Sequence, residues 1–172
     1  MPVVSNTSPI LNLAIIGKLW LLNEQFGEIV IPAAVHAELR LSETLPGNEE
    51  IQRALDAEWI KIVAVSNQGL ADILGHELDN GEAEAIALAQ ELKAHMVLLD
   101  ERDARKAARQ LHLPVTGVLG ILLKAYQAKA ITDMTSVLED LQSKAGFYVA
   151  DDILDQIIDL SLFNGYKHAN ML

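Results

Sequence analysis

The sequence predicts an α/β protein, a three-layer α/β/α sandwich with a central, mainly parallel sheet. Three observations predict it. The apolar runs Val3-Val4, Ile29-Val30-Ile31 and Met96-Val97-Leu98-Leu99 are short and uninterrupted, the pattern of strands buried on both faces. Helical patterns alternate with these runs along the chain, which favours parallel crossovers. Hydrophobic residues make up 51% of the 172 positions, with an ordinary charged share of 22%, so one ordered core is expected. The expected division is a single domain over residues 1–163 and a polar C-terminal tail over 164–172.

Val3-Val4 reads as the first strand. Ser8-Pro9 then supplies an N-cap and first-turn pair for an apolar helix to about Ile16, with a second helical piece after Gly17 to about Gln25. Glu28 to Ile31 is the next strand, and Pro32 opens a helix carrying Val35, Glu38 and Leu39. Leu45-Pro46-Gly47-Asn48 marks a turn before a helix at 49–57. Trp59 to Val65 reads as a strand offering Ile60, Ile62 and Val63 to the core, and Trp20, Phe26 and Trp59 are expected there too. Asp79-Asn80-Gly81 breaks the chain before a helix rich in alanine, whose high helix propensity suits close packing. Met96 to Leu99 is a buried strand, Pro114-Val115-Thr116 a short last one, and Gly117 leads into a helix with Val118, Ile121, Leu122 and Ala125. Helices near 133–143 and 150–163 complete the pattern.

Several function classes lose support. No apolar stretch approaches the roughly 18 residues of a membrane span; Ile10 to Leu22 is broken by Asn12, Gly17 and Lys18. The N-terminus lacks a signal-peptide pattern, and a cytoplasmic location is the default expectation. Without cysteine there are no disulfides or thiolate sites. The histidines at 36, 76, 95, 112 and 168 lack metal-ligand spacing, and there is no glycine-rich phosphate loop. Aromatic residues are too scattered for a base-stacking platform. A formal charge of −11 argues against a broad grip on nucleic acid, although a local basic patch beside an acidic site remains compatible with it.

The informative residues stand where strands hand over to helices. Asp100 ends the Met96–Leu99 run, Glu82 opens the alanine-rich helix, Glu38 lies in the helix after Ile31, and Asn6 follows the first strand. In a parallel sheet such positions converge outside the carboxyl ends of the strands, where ligands bind. Three carboxylates and an amide oxygen suit a hard cation such as Mg²⁺ or Mn²⁺. Each residue also has an ordinary structural role. Asp100 could cap a helix at 101–111, Glu82 could answer a helix dipole, Glu38 could be a surface residue, and Asn6 could cap a turn. Asp79 reads as a turn residue, and Glu84 faces away from Glu82.

Thr7 and Ser8 stand beside Asn6 and could hold a bound water or phosphate; Thr116 is a further hydroxyl near the same rim. Arg102, Arg105, Lys106 and Arg109 recur at helical spacing opposite Ala104, Ala107, Ala108 and Leu111. This basic stripe begins two residues after Asp100 and could bring a phosphate backbone to it. The alternative is a solvated helix face.

In this order the segments resemble the PIN-domain family, whose bacterial members include VapC-like ribonuclease toxins. Val3 to Ile10 resembles the opening of a branch reading Ser-Asp-Thr-Ser-Pro, here Ser-Asn-Thr-Ser-Pro. Leu78 to Ala89, Val97 to Arg102 and Pro114 to Gly120 resemble its downstream segments. The resemblance implies a Mg²⁺- or Mn²⁺-dependent ribonuclease and an RNA substrate. It also implies a homodimer and the toxin role in a toxin–antitoxin pair, with an antitoxin protein as partner. Carried onto this chain, Glu38, Glu82 and Asp100 match the family's second, third and fourth acids, and Thr116 matches a hydroxyl often found near the site. Asn6 stands where the first acid is normally aspartate, and an amide keeps an oxygen but has no charge and cannot act as a base. The rival readings are a degenerate PIN domain that binds RNA or protein without cleaving, and a hydrolase of phosphorylated small molecules.

Overall fold

A computed structural model describes residues 1–157. The expected tail at 164–172 and the end of the expected 150–163 helix lie outside them. The chain divides into two compact units, residues 1–118 and 119–172.

The first unit holds five short strands: β1 (Val3–Ser5), β2 (Ile29–Ile31), β3 (Ile60–Ile62), β4 (Met96–Leu98) and β5 (Val115–Thr116). All the pairings are parallel, in the order β3-β2-β1-β4-β5. The sheet is thus parallel throughout and winds outward in two directions from β1. Its helices are α1 (Thr7–Ile15), α2 (Trp20–Phe26), α3 (Ala33–Glu38), α4 (Asn48–Asp56), α5 (Gln68–Leu74), α6 (Asn80–Glu91) and α7 (Arg102–Gln110).

Side chains alternate across each strand, so the two faces take different helices. Val4, Val97 and Leu99 join a core with Ala83, Ile86, Ala87, Ala104 and Ala108, in which α6 lies against β1 and β4. Small alanine side chains let α6 sit close to the sheet, and Ala85, Ala87 and Ala89 have no exposure. On the other side α2 meets β2, while α4 meets β3 and α1. Helices flanking a parallel sheet confirm the expected α/β class.

Some local expectations need correction. The strand expected at 59–65 is only Ile60–Ile62, and Ile62 is 46% exposed because β3 is the sheet edge. Trp20 is 45% exposed rather than core, and Phe26 and Trp59 are half-buried. Helix α1 begins at Thr7 with Asn6 as its N-cap, so Ser8 is not the cap. Helix α5 was not anticipated; Asn67 caps it by accepting the Leu70 N–H at 3.1 Å.

The second unit continues α8 (Val118–Gln127), whose first residue belongs to the first unit, and contains α9 (Met134–Ser143). Asp133 caps α9 by accepting the Ser136 N–H, and Val137, Leu138 and Leu141 form its buried stripe. Residues 151–157 are helical to the end of the described chain.

Candidate active site

The strand order, running outward from β1 to β2 and β3 on one side and to β4 and β5 on the other, places the topological switch point between β1 and β4. Asn6 follows β1 and Asp100 follows β4 by two residues. Their segments are tied together where the Asn6 N–H donates to the Leu98 carbonyl at 3.0 Å. Ser5, fully buried, donates its hydroxyl to the Asn6 carbonyl. The Asn6 backbone is therefore held, and the residue is only 4% exposed. Yet Asn6 Oδ1 has no hydrogen-bond partner. A buried acceptor left unpaired costs about 1–3 kcal/mol, so this oxygen marks a place where a donor or cation would be accommodated.

Asp100 is held at both oxygens. Oδ1 accepts the Val118 N–H at 2.8 Å, and Oδ2 accepts the Ser8 hydroxyl at 2.5 Å. Asp100 thus holds the Val118 N–H and does not cap the 101–111 helix, whose N-cap is Glu101. Gly117 makes this approach possible. A Cβ there would lie 2.7 Å from Asp100 Oδ1 and 2.9 Å from the Leu99 carbonyl oxygen. The same point is 3.7 Å from an Arg105 guanidinium nitrogen, so Arg105 lies over this side of Asp100. Burial pushes the Asp100 carboxyl above its ordinary range; the Ser8 hydroxyl, the Val118 N–H and Arg105 oppose this, while Glu101 adds to it.

Glu38, the last residue of α3, is exposed but held at both oxygens as well. Oε1 accepts the Gly81 N–H at 2.9 Å, and Oε2 accepts the Thr7 hydroxyl. Helix α6 anchors both ends of α3, since Glu84 Oε1 accepts the Ala34 N–H at 3.2 Å. Glu84 therefore points toward α3.

Glu82 is 6% exposed at the third position of α6. It forms a reciprocal capping box with Asp79: the Glu82 N–H donates to Asp79 Oδ1 at 2.8 Å, and Glu82 Oε2 accepts the Asp79 N–H at 3.2 Å. Burial raises the Glu82 carboxyl above its usual range, and Asp79, Glu101 and Glu38 raise it further against the Asp79 N–H. Glu101, the exposed N-cap of α7 next to Asp100, is a further acid beside this rim. Its position beside Asp100 was the available signal in the sequence.

Arg102 is exposed at the start of α7, with Lys106 and Arg109 exposed farther along and Arg105 half-buried. Thr116 ends β5 on the same rim, where its carbonyl accepts the Leu99 N–H at 2.9 Å. Asn12 also belongs to this network, because its Nδ2 donates to Ser8 Oγ at 2.9 Å. In the sequence Asn12 stands out only as a polar break in an apolar run.

An acid-rich rim lies at the switch point of this parallel α/β sheet. Residues 2–161 match the family DUF3368, described as a PIN domain, and the chain belongs to the PIN-domain family. It is similar in fold to a PilT N-terminus domain protein of the archaeon Sulfolobus solfataricus P2. The likeness has 22% identity and a TM-score of 0.53, over 73% of this chain and 93% of that one. No curated protein matches the chain.

PIN domains are typically nucleases and generally use divalent metal ions. The donors on this rim fit such an ion by type: oxygens throughout, with the unpartnered Asn6 Oδ1 among them. Among the described residues, no three His, Asp or Glu side chains stand close enough together to share one ion. Each acid is instead held by its own hydrogen bonds.

Proposed function

We propose that this chain is a PIN-type, Mg²⁺- or Mn²⁺-dependent ribonuclease whose activity is depressed by Asn6 at the first acidic position. The observation that carries the reading is the buried, unpartnered Asn6 Oδ1 at the switch point, on the same strand-end rim as Asp100. Asp100, Glu38 and Glu82 would surround the cation, in part through its bound waters, with Asn6 contributing a neutral oxygen. A bound divalent ion supplies charge neutralisation at phosphate and a water of lowered pKa.

The chain's own groups account for the remaining work. Arg105, beside Asp100, and Arg102, exposed at the start of the same helix, would bind substrate phosphates, with Lys106 and Arg109 extending the basic track. Thr7, Ser8 and Thr116 line the rim with hydroxyls, of which Thr7 and Ser8 orient carboxylates. Asn6 cannot accept a proton as aspartate does, so no acid–base role falls to it. The domain is read as extending over residues 1–163. A toxin role with an antitoxin partner, a homodimer and a cytoplasmic setting belong to this proposal by family resemblance.

A second reading has its own observation. The Glu82 carboxylate already serves the α6 capping box, and Asn6 carries no charge, as in a domain that binds RNA or protein without cleaving it. Incubating the protein with a mixed RNA pool, with and without Mn²⁺, separates the two. Slow cleavage dependent on Mn²⁺ and lost in Asp100→Asn supports the nuclease. RNA retention without cleavage at any Mn²⁺ concentration supports the binding module.

A further inference from the structure

The geometry points to a two-pronged clamp in the first turn of α1: Thr7 holds Glu38, Ser8 holds Asp100, and Asn12 is a positioning residue that sets the direction of the Ser8 prong. Two consecutive hydroxyls reach acids 31 and 92 residues away. One acid belongs to the segment after β2 and the other to the segment after β4, while Asn6 lies immediately before both prongs. The spacing between the two acids is therefore set from a single turn of helix.

The direction of each bond matters. A serine hydroxyl rotates and can donate toward any nearby acceptor. Asn12 lies one turn beyond Ser8 on α1, and its Nδ2 occupies a lone pair of Ser8 Oγ at 2.9 Å. With that lone pair taken, the Ser8 proton is directed at Asp100 Oδ2. Asp100 Oδ1 is held separately by the Val118 N–H, so the carboxylate plane is fixed from two elements. Glu38 is fixed in the same way, by Thr7 at one oxygen and the Gly81 N–H at the other. Each carboxylate oxygen keeps a further lone pair for a ligand, since an ionised carboxylate offers about four acceptor sites. Groups that orient a metal's carboxylate ligands typically change its affinity by about 10–100-fold when lost.

The clamp can be tested without metal and then with it, the second part resting on the cation reading above. Amide hydrogen exchange of the whole chain reports each prong separately. Ser8→Ala and Asn12→Ala should each speed exchange of the Val118 amide, by about tenfold for Ser8→Ala, and leave Gly81 unchanged. Thr7→Val should speed Gly81 and leave Val118 unchanged. Ser8→Thr, which retains a hydroxyl, should stay near wild type and guards against a mere folding defect. Mn²⁺ binding by calorimetry should weaken about tenfold or more in Ser8→Ala and Asn12→Ala and recover in Ser8→Thr. Unchanged Val118 exchange in both Ser8→Ala and Asn12→Ala overturns the clamp, as does equal acceleration of Val118 and Gly81 in every variant. Asp100→Asn is the control for the site itself. If it leaves Mn²⁺ binding unaltered, the cation reading fails, and the exchange pattern still decides the clamp.

Discussion

The Gly81 N–H donates to Glu38 Oε1 at 2.9 Å, and the space that a side chain at residue 81 would fill is occupied by the Glu38 carboxylate. A built Cβ at Gly81 lies 2.7 Å from Glu38 Cδ. The glycine is therefore there for the acid's approach, within a helix that alanine would otherwise favour by about 1 kcal/mol.

Gly81→Ala should separate stability from function. Glu38 is exposed, so it can turn out into solvent, giving up its Thr7 and Gly81 bonds while the helix gains propensity. Denaturant unfolding should show a change within about 1 kcal/mol, and Mn²⁺-dependent RNA cleavage or binding should fall. Gly117→Ala should behave differently. Its Cβ would meet the Leu99 backbone oxygen as well as Asp100, and backbone cannot step aside, so a loss of about 1–3 kcal/mol is expected in the same assay.

The contrast shows what the sequence made legible. Alternation of Val3-Val4, Ile29–Ile31 and Met96–Leu99 with helices marked the parallel sheet, because strands buried on both faces leave uninterrupted apolar runs. The strand-end positions of Asn6 and Asp100 also followed from that alternation. The partners of these residues did not. Asp100 reaches the Val118 N–H across 18 residues, and Thr7 reaches Glu38 across 31, contacts with no local periodicity to announce them. Ile62 misled because its apolar character fits a core strand, while its exposure depends on β3 being the sheet edge. Gly81 reads as part of a breaker and Gly117 as the lead into a helix, though in the structure they are the spaces into which carboxylates fit.

Stability of the metal-free protein should depend on pH through the rim acids. Glu82 and Asp100 both have raised carboxyl pKa values, from burial first. A folded state with raised pKa binds more protons than the unfolded chain between the unfolded and folded values. Stability should therefore fall as pH rises through that window and recover on mild acidification, insofar as these groups decide it. Glu82→Gln, whose side chain can still complete the capping box, should flatten the dependence. Thermal unfolding against pH in chelator checks this, and a Glu82→Gln profile parallel to wild type would remove Glu82 as a contributor.

The basic helix should contribute unequally to RNA binding. Arg105 lies over Asp100, whereas Arg109 is exposed near the helix end. Arg105→Ala should weaken binding more than Arg109→Ala. The double variant Arg102→Ala/Arg105→Ala should flatten the salt dependence, by about 0.7 in log–log slope per lost phosphate contact to single-stranded RNA. An unchanged slope in the double variant would leave α7 as a solvated face.

The most direct measurement is an Mn²⁺ titration of thermal unfolding in wild type and Asn6→Asp, with RNA cleavage assayed alongside. In the absence of metal Asn6→Asp should be the less stable form, since a fourth carboxylate joins Glu38, Glu82 and Asp100 in like-charge repulsion. With Mn²⁺ it should gain more than wild type, by about 1.4 kcal/mol for each tenfold tightening at saturating ion, and its cleavage should rise. Equal Mn²⁺ stabilisation and equal cleavage in the two proteins would place Asn6 outside the cation site and contradict the account.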